Sequence, residues 1–513
     1  MMHRAFLTSL SLLVLLVLLQ SGSPAADERT ELWTASLGAT PAERTLLATV
    51  QGLANRQRCR LWIRSGGLDA HLLAELASEA TIHPLADVWT AVDAFKDDIA
   101  GMVVYSAKDL SLTTATSLCG VLGAVAVEEA LLPSAAAHGL RLIKDARGLD
   151  QLQVWAEYHD RFARGMLVEQ DPHKEWHLRD FAVARSAFVF WQLDDQAVAR
   201  LLRESGPATT VFGWGADERH AVGLASAGGG DYLAADWSTN LSALSRLPVA
   251  LPLRPRPPPP ADARSGERIV AFVMSDGDNL CFVGGGFADD PSYFGSPQRG
   301  TFDMTWEMAP RLAELSSRGL RYLYRSASHG PHYDDFVIGP SGVGYCFPSR
   351  QSDRPAYARR TAAAATASGM ELVTLLNDGG SMTDATAMLE QPEIKGVLYK
   401  DWAPYNARHG AVLWHNGKPC ISYRYLLWEG MAGQDPAGVA AAMSSQPAAP
   451  LTDEESYALI NVHAWSWKSS GGPMAAVART IGLLPAGTRV VTASALVALM
   501  TRHLAGLHPV IRP

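Results

Sequence analysis

The stretch Arg268-Ile-Val-Ala-Phe-Val-Met-Ser-Asp-Gly-Asp-Asn-Leu280 decides how the chain is read. Ile269 to Met274 is an unbroken apolar run rich in β-branched and aromatic residues. It reads as a strand covered on both faces, of the kind found in parallel sheets. The run stops at Ser275-Asp276-Gly277-Asp278-Asn279. Two carboxylates and an amide crowd the carboxyl end of the strand, with Gly277 freeing the backbone between them. In α/β folds that edge is where ligands bind. A polar turn also uses Asp, Gly and Asn. It does not need acids at i and i+2, so this segment is read as a candidate site.

Further runs downstream repeat the pattern. Residues 321–326, 372–376, 396–399, 411–415, 420–425, 457–461 and 489–491 read as strands. Residues 306–317, 357–368 and 474–483 read as helices. About seven β/α units between 267 and 513 predict a barrel-like (β/α) domain, complete or one strand short. The expected polar tails of these strands carry Asp276, Asp278, His329, His332, Asp378, Asp401, Glu429 and His463, with Tyr345, Trp402, Trp465 and Trp467 beside them. A barrel would bring them to one mouth.

Carboxylates next to flat aromatic rings suit sugars. Ring faces pack on the apolar faces of pyranoses, and acids take hydroxyls and supply protons. Asp276, Asp278, Asp401, Glu429 and His463 are therefore candidate catalytic groups. Asn279, His329, His332, Tyr345, Asp378, Trp402, Trp465 and Trp467 are candidate substrate contacts. If the strand continues through the acids, Asp276 and Asp278 share a face about 6.5 Å apart at Cα. Such neighbours rarely straddle a scissile bond. Acid and base are expected on different strands, one of the pair opposing Asp401 or Glu429. No cofactor is expected. An alternative places a hard divalent cation on Asp276, Asp278 and Asn279; added histidine would favour zinc. His329 and His332 alone do not make that case. For His463, a structural hydrogen-bonded histidine is the competing reading.

The amino-terminal half alternates in the same way. Helices are expected at 41–56, 68–76, 113–129, 149–162 and 195–204, and strands at 59–63, 101–105, 187–191 and 210–214. This predicts layered α/β modules: one over 27–106, then a second region over 107–250 that divides into one or two. Gly228-Gly-Gly230 lacks the helix a phosphate loop needs. Asn240-Leu-Ser242 is a glycosylation sequon. Residues 251–266, with four consecutive prolines at 257–260, form a linker in extended geometry.

The chain has 513 residues, enough for two or three cores, and a net charge of −8 without a basic run. Nucleic acid and anionic membrane surfaces are poor partners for it; a carbohydrate substrate is the expected one. Arg4, the Leu/Val core at 10–19 and small residues before Ala25 predict an export signal over 1–25. The mature chain is then secreted or periplasmic, with no span. Five scattered cysteines with no CxxC exclude a disulfide scaffold and a zinc finger. Composition says nothing of oligomeric state.

Gly342-Val-Gly-Tyr-Cys-Phe-Pro348, together with Ser275-Asp-Gly-Asp-Asn279, resembles the GxGYxYP family, to which glycoside hydrolysis is ascribed. Phe347 stands where the family name has tyrosine, keeping the ring without its hydroxyl. The resemblance extends to Gln51-Gly-Leu-Ala-Asn-Arg56, Ala187-Phe-Val-Phe190 and Trp414-His-Asn-Gly-Lys-Pro419. It implies small amino-terminal α/β domains, a barrel-like carboxyl-terminal domain, export and a role in polysaccharide breakdown. The heptapeptide itself reads as a loop after the second strand of that domain. Its glycines permit unusual backbone angles, and Tyr345 is displayed towards the mouth. Two other functions stay open: a metal-dependent hydrolase of the polysaccharide deacetylase type, whose HxxxH pair is here only HxxH, and a non-catalytic carbohydrate-binding protein.

Overall fold

Short apolar runs become parallel strands throughout, and helices carry the chain between them. The computed structural model describes residues 30–508, so the expected export signal lies outside the described residues. Strands β1 (Thr30–Ala35), β2 (Leu61–Ile63) and β3 (Ala80–Pro84) form a parallel sheet in the order β2-β1-β3. Strands β4 (Gly101–Tyr105), β5 (Ala124–Glu128) and β6 (Leu142–Asp145) form a second, ordered β5-β4-β6. Thus Gly101–Tyr105, expected to close the first module, pairs within the second sheet. The helix expected over 113–129 ends at Leu122, and β5 follows after Gly123, which adopts a left-handed conformation and stops the helix. Strands β7 (Met166–Glu169), β8 (Phe188–Phe190), β9 (Thr210–Gly213) and β10 (Asp231–Ala234) make the third sheet, ordered β10-β9-β7-β8.

The helix Pro41–Ala54 starts at a Thr40–Glu43 capping box and buries Leu46, Leu47, Val50 and Leu53, as its spacing requires. Beyond it, Gln51 and Asn55 join a buried polar network. Gln51 Nε2 donates to Asn240 Oδ1 at 2.6 Å, and Asn240 Nδ2 donates to Asp69 Oδ2 at 2.7 Å. Asn240 is 1% exposed, so the sequon is spent on packing in the folded chain. The five cysteines are all free thiols, and four of them are buried.

Among the described residues the second half holds ten strands: β11 (Arg268–Met274), β12 (Met304–Met308), β13 (Asp334–Ile338), β14 (Leu372–Asn377), β15 (Gly396–Asp401), β16 (Val412–His415), β17 (Lys418–Ser422), β18 (Tyr425–Leu427), β19 (Tyr457–Val462) and β20 (Thr488–Val490). Their order is β16-β17-β15-β14-β13-β12-β11-β19-β18, with β20 also on β11. All pairings are parallel except β16 with β17. The path is open: among the described residues no pairing joins β16 to β18, so the sheet is not a closed seven-stranded ring.

Two elements of this half differ from their sequence reading. Residues 306–317, expected as a helix, begin inside strand β12; residues 321–326, expected as a strand, end the helix Ser317–Ser326. Alternating Arg-Tyr-Leu-Tyr-Arg mimics a half-buried strand. As a helix, however, it buries Leu320, Leu323 and Tyr324 on one side. It turns Arg318 and Arg325 to Glu79 and Glu75 of the first module. Tertiary partners decided between two periods that the local sequence nearly satisfies.

The linker is not a free tether. Leu253 is buried and donates its N–H to Ala367 O at 2.8 Å, on the helix Arg354–Ser368. A single apolar cluster contains Phe212 and Leu233 of the third sheet with Phe272, Met274 and Trp306 of the large one. The third module and the large sheet therefore share a core.

Candidate active site

The carboxyl ends of the third sheet and of the large sheet face each other across a cleft of about 380 Å³. From the third module come Lys174, Trp214, Glu218, Asp236 and Trp237; from the large sheet come Asp276, Asp278, Lys400, Tyr405 and Trp465. Both walls are the ligand-binding edges of parallel sheets, for which the cleft between them is the expected place.

The turn after β11 is built by close packing. Strand β11 ends at Met274, and Asp276 takes a left-handed conformation (φ 63°). The strand does not continue through the acids, so the shared-face spacing expected for them does not apply. A Cβ at Gly277 would stand 1.3 Å from the Glu307 carbonyl oxygen, so only glycine lets this turn lie on β12. Ser275 Oγ and Trp465 Nε1 both donate to the Asp276 carboxylate, the latter at 3.0 Å. Asp278 is buried. Among the described residues no hydrogen bond reaches its carboxyl, which lines the cleft. Burial, reinforced by the negative charges of Asp276 and Glu307, pushes its pKa well above the usual carboxylate range.

Glu218 opens the helix Glu218–Ala227 after the Asp217 cap, on the opposite wall. Burial raises its pKa, and a hydrogen bond of 3.0 Å from the Tyr345 hydroxyl lowers it in part. Below the acids, Lys400 Nζ pairs with Glu307 Oε1 at 2.6 Å, both side chains buried. Lys174 pairs with Asp236. Both lysines are thus spent on acids, leaving Asp276, Asp278 and Glu218 as carboxyls without a cationic partner among the described residues. Tyr405 sits among them, its hydroxyl pushed far up by burial and by the charge of Asp276.

The motif Gly342-Val-Gly-Tyr-Cys-Phe-Pro348 follows β13, the third strand of the sheet rather than the second, and rivets the two walls together. Tyr345 and Tyr232 exchange backbone hydrogen bonds of 2.7 and 2.8 Å, so the loop pairs with β10. A Cβ on Gly344 would meet Asp231 Oδ1 at 2.6 Å. Phe347 is fully buried, edge-on to Tyr345 and to Trp402. It packs in an apolar cluster with the Arg350 guanidinium over its ring. Burial pushes the Cys346 thiol up to about 12, which removes it as a nucleophile.

Of the residues singled out from the sequence, Asp276, Asp278, Asn279, Tyr345 and Trp465 line the cleft. His463, Trp467, Glu429, Asp378, Asp401 and Trp402 follow strand ends on the same sheet edge but are occupied elsewhere. His463 stacks on Trp428 at 3.9 Å; burial lowers its pKa, and the charge of nearby Asp276 opposes that in part. Glu429 accepts from the Trp467 N–H at 2.6 Å, and Trp467 is buried. Asp378 is held by Arg219 and Arg350, and Asp401 by Arg408. Asp401 and Lys400 are neighbours on β15, so they point to opposite faces; Lys400 takes the cleft side and Asp401 turns away. Neither Asp401 nor Glu429 opposes the Asp276 turn. Glu218 does.

His329 and His332 are displaced furthest. They precede β13, so in a parallel sheet they lie at the edge opposite Asp276. There His332 meets Asp303, which precedes β12, at 3.5 Å. They were expected at the mouth because the helix before them read as a strand. Asn279, considered as a cation ligand, caps the helix Leu280–Gly284 by accepting from the Phe282 N–H at 3.0 Å. Among the described residues no three His, Cys, Asp or Glu side chains gather as a metal-binding set.

Sequence reading missed Glu218, Trp214, Trp237, Lys174, Asp236, Lys400, Tyr405 and Glu307. The rule that chemistry follows strand ends, applied to 210–214, leads to Glu218 four residues on. Glu307 was hidden inside a misread helix.

Residues 267–501 match the family model described as "GxGYxYP putative glycoside hydrolase C-terminal domain". Residues 164–246 match the "GxGYxYP third domain" and 99–165 the "GxGYxYP_N second domain". The fold is similar to a crystal structure, at 1.25 Å, of a protein from Bacteroides thetaiotaomicron VPI-5482 described as a putative hydrolase. The TM-score is 0.84 at 26% identity, covering 93% of this chain and 96% of that one. No curated protein matches the chain. Among the described residues no helix is long and apolar enough to cross a membrane.

Proposed function

Since the chain belongs to the GxGYxYP family, we propose that it hydrolyses glycosidic bonds of an oligo- or polysaccharide in the cleft between its third module and its large sheet. The observation that carries this reading is a pair of carboxyls, Glu218 and Asp276, on opposite walls of a tryptophan-lined cleft. Burial raises the Glu218 pKa, and the Asp276 carboxylate on the facing wall accepts hydrogen bonds from Ser275 and Trp465. Two carboxyl groups flanking the scissile bond, one of them an acid of raised pKa, are what a glycosidase needs.

Glu218 is assigned as the general acid that protonates the leaving oxygen. Asp276 is the carboxylate that attacks the anomeric carbon or activates water. Asp278, its pKa pushed up by burial, is assigned to hydrogen-bond a substrate hydroxyl. Trp214, Trp237 and Trp465 offer ring faces to the sugar. The expected export signal at 1–25 would place this activity outside the cytoplasm, where polysaccharides are met. Amino-terminal sequencing of exported protein, expected to begin at Ala26, checks that point.

The central test measures sugar release from a panel of neutral polysaccharides and 4-nitrophenyl glycosides, with circular dichroism as the folding control. Glu218→Gln and Asp276→Asn are expected to lose about 10²–10⁴-fold in turnover, the usual worth of a positioned acid or base. Folded variants that retain wild-type rates would refute the assignment. Loss of activity to a chelator, restored by one divalent cation, would replace it by the metal-dependent alternative.

A further inference from the structure

We propose that the substrate is an oligosaccharide whose chain continues past Trp237 into a second, uncharged pocket, where a neutral sugar unit beyond the cleaved bond is held. This rests on the glycosidase reading and extends it. A cavity of about 390 Å³ adjoins the catalytic cleft, and Trp237 lines both. Each is near the lower bound of ligand pockets, about 300–1,000 Å³, and together they form a longer groove.

The two pockets run side by side along the same two segments. Asp236 and Asn279 face the catalytic cleft, while Ser238 and Cys281, two residues further on in each segment, face the second pocket. The Trp237 N–H points at Cys281 Sγ, 3.1 Å away, which fixes the partition. Trp237 itself is 54% exposed, a large ring on the rim with the Lys174 ammonium over it and His177 edge-on to it.

The chemistry changes across that partition. The cleft holds acids and lysines, whereas the second pocket has no ionisable side chain but Cys281, whose thiol burial raises to about 12. Its walls alternate leucines (Leu241, Leu244, Leu280, Leu312) with serine and threonine hydroxyls. Ser316 Oγ is buried there and has no hydrogen-bond partner among the described residues. Apolar patches interleaved with neutral hydroxyls suit a pyranose, whose ring has an apolar face and a rim of hydroxyls. They would reject a uronate or a sulfated sugar, whose charge would be desolvated without a partner.

Bare glycine makes the room. Gly66 and Gly284 have nothing within 4 Å of where a Cβ would stand, and neither needs a left-handed backbone. Gly66→Trp and Gly284→Trp should fill the pocket without disturbing the fold, with an unchanged unfolding temperature as the check. The probes are glucan, xylan and mannan oligosaccharides of two to six units and the 4-nitrophenyl monoglycosides. In whichever series is cleaved, kcat/KM should rise about ten-fold or more with chain length, since remote contacts lower the barrier. Both plugged variants should lose that gain. A length-independent rate, or a gain that survives plugging, overturns the proposal.

If nothing is cleaved, the glycosidase reading fails on its own. Calorimetric binding of the same oligosaccharides then decides the pocket. Tighter binding of longer chains, abolished by Gly66→Trp, supports it; no binding, or binding indifferent to length or to plugging, overturns it.

Discussion

The Tyr345 hydroxyl donates to Glu218 Oε1 at 3.0 Å. One partner belongs to the glycine-rich loop after β13, the other to a helix of the third module, so the bond crosses the cleft's seam. It also counteracts the burial that raises the Glu218 pKa. Tyr345→Phe therefore leaves a carboxyl that keeps its proton to higher pH. The alkaline limb of the pH–rate profile should move upward, and kcat should fall about five- to ten-fold, the worth of one hydrogen bond. An unmoved limb would mean that Glu218 is not the proton donor.

Asp278 offers a test that separates stability from activity. Its folded pKa lies well above the unfolded value of 3.8, so the folded state holds this proton more tightly. The stability that this provides is complete below the unfolded pKa and is lost as pH rises from there towards the folded value. Asp278→Asn removes the titration. The variant should match the wild type in unfolding temperature near pH 4 and exceed it at pH 7, while losing activity. Denaturation scans at the two pH values, with one activity assay, check both halves.

Lys400 and Glu307 form a buried ion pair beneath the cleft. Lys400→Met strands a buried carboxylate and should cost about 3–5 kcal/mol in urea unfolding. Adding Glu307→Gln should recover most of that. If the double variant is no better than the single one, the pair is not coupled and Lys400 acts on the site through another group.

Gly344→Ala should weaken the rivet between the loop and β10. The added methyl carbon would meet Asp231 Oδ1 at 2.6 Å and Tyr232 O at 2.9 Å. Asp231 is itself held by Thr210 and Arg360, so it cannot easily yield. A loss of about 1–3 kcal/mol is expected for such overpacking. Activity should fall with it, because Tyr345 is the next residue. Alanine tolerated with full activity would show that the loop can move without cost.

Much of the site followed from one local rule. Apolar strands that stop abruptly at acids mark the ligand edge of a parallel sheet, and this led to Asp276 and Asp278, while the glycine-rich motif led to Tyr345. The same rule failed where the strand itself was misread, which placed His329 and His332 at the wrong edge. It also failed between neighbours. Asp401 and Lys400 are both at a strand end, and the acid was the more suggestive of the two. The pleat directs Lys400 inward and Asp401 to Arg408.

The sequence by itself determined that the chain is a series of α/β modules, that its second half carries strand-end acids, and that its glycine-rich loop belongs to the GxGYxYP family. Those features are local: runs of apolar residues, abrupt polar stops and motif spelling are all carried by a dozen residues at a time. Only the tertiary structure decided which acid faces Asp276. Glu218 lies 58 positions earlier in the chain, on another sheet, and nothing in its own neighbourhood records the distance to β11. The shared core of Phe212, Leu233, Phe272 and Trp306 brings the two sheets edge to edge. The burial that follows raises the pKa values of Glu218 and Asp278.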